Sequence, residues 1–212
     1  KYVNKIYVIP ALLRKKFYEV RKTESINDSI KLLVIGGSQG AEIFDTLIKT
    51  LAVELSKKYS LKIYQQTNMI NLEELKKFYI ENNINHELFD FNEDISNFMS
   101  RSNLCLTRAG ASTLAELVFL NLPFVAIPLP TSKDNHQFEN ALFYNKMGCN
   151  WILNQNEIND ESIVNKLVNI IDNKDEFLVK KINMKNFSYQ NTWNDINQKI
   201  ISVINENRIS KN

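Results

Sequence analysis

Short apolar runs alternate along this chain with stretches whose apolar residues recur every three or four positions. Ile30–Gly37 (IKLLVIGG) reads as a buried strand ended by glycines. Ala41–Leu55 follows with Phe44, Leu47, Ile48, Leu51 and Leu55 on one stripe, which predicts a helix. The pattern then repeats. Strands are predicted at Leu61–Thr67, Ile84–Phe91, Leu104–Thr107, Phe124–Pro128 and, more weakly, Asn150–Leu153. Helices are predicted at Asn71–Asn82, Ile95–Ser102, Ala111–Leu120 and Asn135–Met147, the last capped by Gly148. From Asn159 onward the spacing is helical, through Ile163, Leu167 and Ile171 and again through Trp193, Ile196, Ile200 and Ile204. Strand–helix alternation of this kind predicts an α/β fold with a doubly wound parallel sheet and right-handed crossovers. Lys1–Asp28 is polar and irregular and reads as an extension or linker.

Composition narrows the function classes. The 212 residues carry 26 Lys+Arg against 24 Asp+Glu, a net charge of +2, which argues against a dedicated nucleic-acid binder. No apolar run approaches the ~18 residues of a membrane span. Lys1–Lys16 has no signal-peptide pattern, and the two cysteines, Cys105 and Cys149, make neither a disulfide framework nor a metal site. A reducing, cytoplasmic setting with no metal or other cofactor is expected. The first residue is Lys rather than Met, and the chain is expected to be a fragment.

There are five glycines, and three of them fall in one six-residue stretch. Glycine lets a backbone approach a ligand closely, so the clustering draws attention to that stretch. In an open α/β sheet, ligands bind beyond the carboxyl ends of the strands. Three turns stand there. Gly36–Ala41 (GGSQGA) joins a strand to a helix whose first amides are unpaired and carry the positive dipole end, a setting for phosphate. Ser38 and Gln39 add side-chain donors, although Ser and Gly are equally at home in an ordinary cap. Thr107–Thr113 (TRAGAST) exposes the amides of Ala111, Ser112 and Thr113, with Glu116 one turn further on the same face. A carboxylate beside an anion site suits a nucleotide, whose ribose hydroxyls it would accept. It suits equally an exposed Glu favoured by the helix dipole. Pro128–Gln137 crowds Asp134, Asn135, His136 and Gln137 into a helix start, where amides suit sugar hydroxyls and where an Asp cap would look the same. His136 at such a position is commonly a plain surface residue, and His86 lies in a strand pattern and reads as structural.

Taken together, IGGSQGA at Ile35–Ala41, TRAGASTLAEL at Thr107–Leu117, LPFVAIPLP at Leu122–Pro130 and DNHQFENA at Asp134–Ala141 resemble the C-terminal domain of the MurG family. Its members are the UDP-N-acetylglucosamine–N-acetylmuramyl-(pentapeptide) pyrophosphoryl-undecaprenol N-acetylglucosamine transferases of peptidoglycan synthesis. The resemblance runs from Ile30 to the C-terminus. It departs from the family at Ile9–Arg14, where the usual TGNPVR keeps only its arginine, and at Gln65–Asn68, where HQ[ST]G is usual.

The resemblance implies the Rossmann-like C-terminal half of a GT-B glycosyltransferase, the half that holds the donor, UDP-GlcNAc. It implies the diphosphate against Ser38 and the amides of Ala111, Ser112 and Thr113, and the ribose on Glu116. The uracil would lie near Phe91 and Asn92, the sugar hydroxyls on Gln137 and His136, and Gln39 beside the sugar. Gly37 and Arg14 complete this set. Residues 1–29 would be a linker or remnant of the interdomain segment, 30–190 the UDP-sugar-binding domain, and 191–212 a helix packed towards a missing N-terminal domain with a partly exposed apolar face. That N-terminal domain would bring the lipid-linked acceptor, the base and peripheral association with the inner face of the cell membrane, so the chain alone is expected to lack turnover. A non-catalytic UDP-sugar-binding module, the donor subunit of a two-subunit GlcNAc transferase, and an interaction remnant that binds nothing stand as alternatives.

Overall fold

The computed structural model of the chain describes residues 11–20, 29–36, 41–90, 94–186 and 193–209. Six strands, β1 Ser29–Ile35, β2 Ser60–Gln66, β3 Asn85–Phe89, β4 Leu104–Thr107, β5 Phe124–Ala126 and β6 Asn150–Ile152, form one sheet in the order β3-β2-β1-β4-β5-β6. Every pairing is parallel. Between the strands run α1 Ala41–Ser56, α2 Met69–Glu81, α3 Ile95–Arg101, α4 Ala111–Phe119 and α5 His136–Lys146, and α6 Asp160–Asp172, α7 Lys174–Asn186 and α8 Trp193–Ile209 follow.

The alternation of side chains along each strand divides the core between the two faces of the sheet. Ile30, Leu32 and Val34 of β1 join Ile63, Leu104, Leu106 and Val125 beneath Phe44, Ile48 and Leu51 of α1, Tyr79 of α2, and Ile163 and Leu167 of α6. Leu33 and Ile35 point the other way, to Tyr64, Cys105 and Phe124, under Phe98 and Met99 of α3, Leu114 and Leu117 of α4, and Tyr144 of α5. Because both faces are covered, the central strands carry unbroken apolar runs rather than alternating ones.

The predicted helix end at Gly148 is present: Gly148 has φ +71° and its N–H donates to the Asn145 carbonyl at 2.8 Å. The helical tract after Asn159 resolves into three helices, of which α6 opens on a reciprocal cap between Asn159 and Ser162. On α8, Ile196 is buried while Ile200, Ile201 and Ile204 stay 43%, 56% and 49% exposed, so the apolar face predicted to be partly uncovered is uncovered. Residues 11–20 hold more than the linker reading suggested. A single 3-10 turn at Lys15–Tyr18 drives Phe17 into the second core layer, fully buried, with Leu13 2% exposed beside it.

Candidate functional site

The strand order 3-2-1-4-5-6 reverses direction between β1 and β4, the crevice at which doubly wound folds take their ligands. Ile35 pairs with Thr107, and the N–H of Arg108 extends that ladder to the Ile35 carbonyl at 3.2 Å. The turns after β1 and β4 therefore leave the sheet side by side. Thr107 also pairs with Ala126, which brings the turn after β5 to the same edge. The second and third turns thus share one rim, and β1 ends at the same edge. Gly37, Ser38 and Gln39 of the first turn lie outside the described residues, as do Phe91 and Asn92.

In the second turn Gly110 is the N-cap of α4 with an extended backbone (φ −68°, ψ 131°) and no side-chain cap. The first helical bond is Leu114 N–H to the Gly110 carbonyl, so the amides of residues 111–113 have no partner inside the helix. Ala111 and Ser112 are exposed and Thr113 half-buried. The fold itself does not demand a glycine at 110. Its φ is ordinary, and among the described residues an added Cβ would meet only Thr113 Oγ1, at a normal 3.7 Å. A glycine unexplained by its own backbone points to something approaching from outside. Gly110→Ala is expected to leave the unfolding free energy from urea titration within about 0.5 kcal/mol of wild type, or slightly above it. If the open amides beside it take an anion, the substitution should also weaken UDP binding several-fold; equal affinity by calorimetry would make this glycine incidental.

Glu116 lies one turn into α4 and is 3% exposed. This is not the exposed, dipole-favoured Glu that the sequence also allowed. Arg14 grips it in a two-pronged contact, Nε to Oε1 at 2.8 Å and Nη2 to Oε2 at 3.0 Å. Burial pushes the Glu116 carboxyl above its ordinary value, and Arg14 and then Lys16 pull against that. Arg14 itself is half-exposed and lies over the Phe17 ring at 5.0 Å. Each carboxylate oxygen spends one lone pair on the guanidinium and keeps another to accept from a ligand.

In the third turn Asp134 and Asn135 have φ of 50° and 54° in succession, a left-handed pair that non-glycine residues adopt at a cost. The kink aims the start of α5 at the second turn. Gln137 Oε1 accepts from Leu129 N–H at 3.0 Å and Ala109 N–H at 3.3 Å, and Asn140 Nδ2 donates to the Ala109 carbonyl at 3.0 Å. One face of α5 therefore holds both polar groups of the Ala109 peptide units. Gln137 is first of all a brace between two turns, and only its Nε2 is left for a ligand among the described residues. Asn140 was missed, although its spacing of three from Gln137 already put both amides on one helix face. His136 is exposed, and its Nδ1 donates to the Lys133 carbonyl at 2.6 Å. His86 stacks on Tyr79 at 4.9 Å and bonds the Ile84 carbonyl, in keeping with its structural reading.

A second polar cluster joins the start of α1 to β2 and α2. Asp45, in the second turn of α1, accepts from Gln65 Nε2 at 2.7 Å, Thr67 Oγ1 at 3.0 Å and Asn71 Nδ2 at 2.8 Å. Tyr79 donates in turn to Gln65 Oε1. The network ties the start of α1 to the carboxyl end of β2. Nothing in the helical stripe around Asp45 announces it. Burial lifts the Asp45 carboxyl above its ordinary 3.8, its three side-chain donors notwithstanding. The folded chain thus holds that proton more tightly than the unfolded one. Its contribution to stability is present in acid and lost as pH rises past 3.8 through the folded value. Asp45→Asn is expected to remove that part of the pH dependence. The wild-type minus variant difference in urea midpoint should fall with rising pH; a difference that grows would reverse the sign assigned here.

The family model described as "Glycosyltransferase family 28 C-terminal domain" matches residues 31–200. The chain belongs to this family. The glycosyltransferase family 28 match begins within β1 and takes in the other five strands and all three turns. Relatives named UDP-N-acetylglucosamine–N-acetylmuramyl-(pentapeptide) pyrophosphoryl-undecaprenol N-acetylglucosamine transferase include one from Pelagibacter ubique, 66% identical over 98% of this chain and 58% of that protein. Another, from Rickettsia bellii, is 33% identical over 80% of this chain and 50% of its own length. The chain spans about half the length of the curated relatives it matches. Among solved structures, Acinetobacter baumannii MurG superposes with a TM-score of 0.65 at 24% identity, over 82% of this chain and 48% of that one. The UDP-GlcNAc 2-epimerase of Neisseria meningitidis, bound to UDP-GlcNAc, superposes at 0.56 with 16% identity, over 85% and 45%, and shares the fold alone. The MurG resemblance read from the four motifs is therefore correct, as is the GT-B type of fold.

Proposed function

We propose that this chain is the donor-binding half of an N-acetylglucosaminyltransferase that moves GlcNAc from UDP-GlcNAc to lipid-linked N-acetylmuramyl-pentapeptide. The observation that carries this reading is the buried carboxylate of Glu116 one turn behind the open amides of residues 111–113, at the switch point of a sheet 66% identical to a transferase named for that reaction. Helix-tip amides suit the diphosphate, Glu116 suits the ribose hydroxyls, and the Gln137 amide suits the sugar. The first-turn residues Gly37, Ser38 and Gln39, with Arg14, Phe91, Asn92 and His136, complete the assignment on the family resemblance. In direct displacement at the anomeric carbon, negative charge builds on the leaving UDP. Fixed amides aimed at that charge are what this half contributes, together with orientation of the sugar.

On the family resemblance, the acceptor and its base would come from the half of the relatives that this chain does not span. The uncovered isoleucines of α8 offer a face for that half, with residues 30–190 forming the donor domain and 1–29 leading into it. No helix of the described residues is long and apolar enough to cross a membrane. Peripheral contact with a lipid-linked acceptor on the inner face of the membrane is part of this reading on the family resemblance. Titrating UDP-GlcNAc, UDP and UDP-glucose into the purified chain tests the reading. Preference for UDP-GlcNAc over both supports it. Equal binding of UDP and UDP-GlcNAc favours a plain nucleotide module, and no heat with any of them overturns it.

A further inference from the structure

Arg108 is the first residue after β4 and sits in the gap between β1 and β4, its N–H on the Ile35 carbonyl. The side chain turns inward and is 7% exposed. Nη1 donates to the Ile127 carbonyl at 3.0 Å, where β5 runs out into the third turn. The guanidinium lies 5.3 Å from the Phe44 ring centroid, in the first turns of α1. Its Nε is buried and has no hydrogen-bond partner. Among the described residues no carboxylate pairs with it, whereas the other site arginine, Arg14, has one. Burial works against the charge, and a guanidinium does not shed its proton in a protein.

A buried cation without a counter-ion is costly, and an apolar side chain of similar length would be cheaper for the fold. What sets this place apart is its neighbours. Arg108 joins the rim's elements: through Ile35 it touches the end of β1, it begins the second turn, and through Ile127 it holds the third. We propose that Arg108 is a positioning residue for the donor, a fixed positive charge beneath the rim whose missing counter-ion is the diphosphate of the nucleotide sugar. This rests on the donor-site reading above and adds to it a charge that the helix-tip amides do not supply. In a low-dielectric setting such a charge acts through space on a dianion, and it acts most on the state in which UDP carries the leaving charge.

The test compares UDP and uridine on the full chain and on two neutral variants. Arg108→Gln keeps an amide to donate to the Ile127 carbonyl and loses the charge; Arg108→Met loses both. If the charge serves the diphosphate, both variants lose about tenfold or more of UDP affinity. Uridine, read by competition, stays within about twofold, and Arg108→Lys restores most of the UDP affinity. The thermal midpoint of the ligand-free Arg108→Met variant equals or exceeds that of wild type, because an uncompensated charge has gone. A structural clamp makes the opposite pattern: a lowered midpoint, with UDP and uridine weakened alike. That pattern overturns the proposal, as does an unchanged UDP-to-uridine ratio in Arg108→Gln should the Met variant not fold. Failure of the wild type to bind UDP at all overturns the donor-site reading and this inference with it. UDP binding by the wild type with an unchanged ratio in the variants overturns this inference alone.

Discussion

Glu116→Ala is expected to weaken UDP-GlcNAc binding by roughly ten- to a hundredfold, about 1.5–3 kcal/mol, the worth of hydrogen bonds to a charged group. Isothermal titration of the purified chain reads it directly, and an unchanged dissociation constant would remove Glu116 from the site. The Arg14 pair sharpens the expectation. In the ligand-free chain the guanidinium occupies one lone pair on each oxygen and fixes the plane of the carboxylate. The remaining lone pairs are those a ribose diol would use. Glu116→Gln keeps the shape, loses the charge, and turns one acceptor into a donor, so it should lose nearly as much as the alanine. Arg14→Ala should lose less towards uridine than towards UDP, because only a phosphate gains from Arg14 itself. Fold stability should change little in Glu116→Ala. Arg14 is half-exposed and turns to water when its partner is removed, so screening discounts the pair.

How far the sequence carried can be read from particular residues. The sheet was legible because strands buried on both faces leave short unbroken apolar runs bounded by turn residues. β4 was placed to the residue at Leu104–Thr107. The predicted strand Phe124–Pro128 overran, since the ladder stops at Ala126 even though Ile127 and Leu153 still donate to neighbouring carbonyls. The third turn was found by its composition, but the left-handed Asp134–Asn135 pair was not, because neither residue is glycine. Glu116 was found by spacing, yet its burial was not. Its partner lies 102 residues earlier, in a segment with neither helical nor strand period. On α7 the buried residues Phe177, Lys181 and Met184 do share a face, but the lysine hides the stripe from any count of apolar residues. Local pattern reports which way a segment faces; it does not report what meets it from far away in sequence. The long-range polar contacts of this site, Arg14 with Glu116, Gln137 and Asn140 with Ala109, and Asp45 with Thr67, are of that second kind.

The segment that carries Arg14 has one deep anchor, and removing it should have the largest effect on stability. Phe17 is fully buried between the 3-10 turn and the layer formed by Leu33, Ile35, Phe98 and Leu114. Phe17→Ala is expected to cost about 3–5 kcal/mol, the transfer of a phenyl ring plus the cavity it leaves. A urea midpoint lowered without a change in slope would report that loss. Arg14 lies three residues before Phe17 and rests on its ring, so the same substitution frees the guanidinium from Glu116. A buried carboxylate that loses its cation holds its proton to higher pH. Glu116 is already raised by burial, so with Glu116 in the site the Phe17→Ala chain should bind UDP-GlcNAc more tightly as pH rises and that carboxyl ionises, whereas an affinity independent of pH would place Glu116 outside the site. Phe17→Leu fills most of the cavity and should recover both stability and the Arg14 contact. A Phe17→Ala cost below about 1 kcal/mol would mean that residues 11–20 do not dock on the core in solution, and the Arg14–Glu116 pair would fall with them.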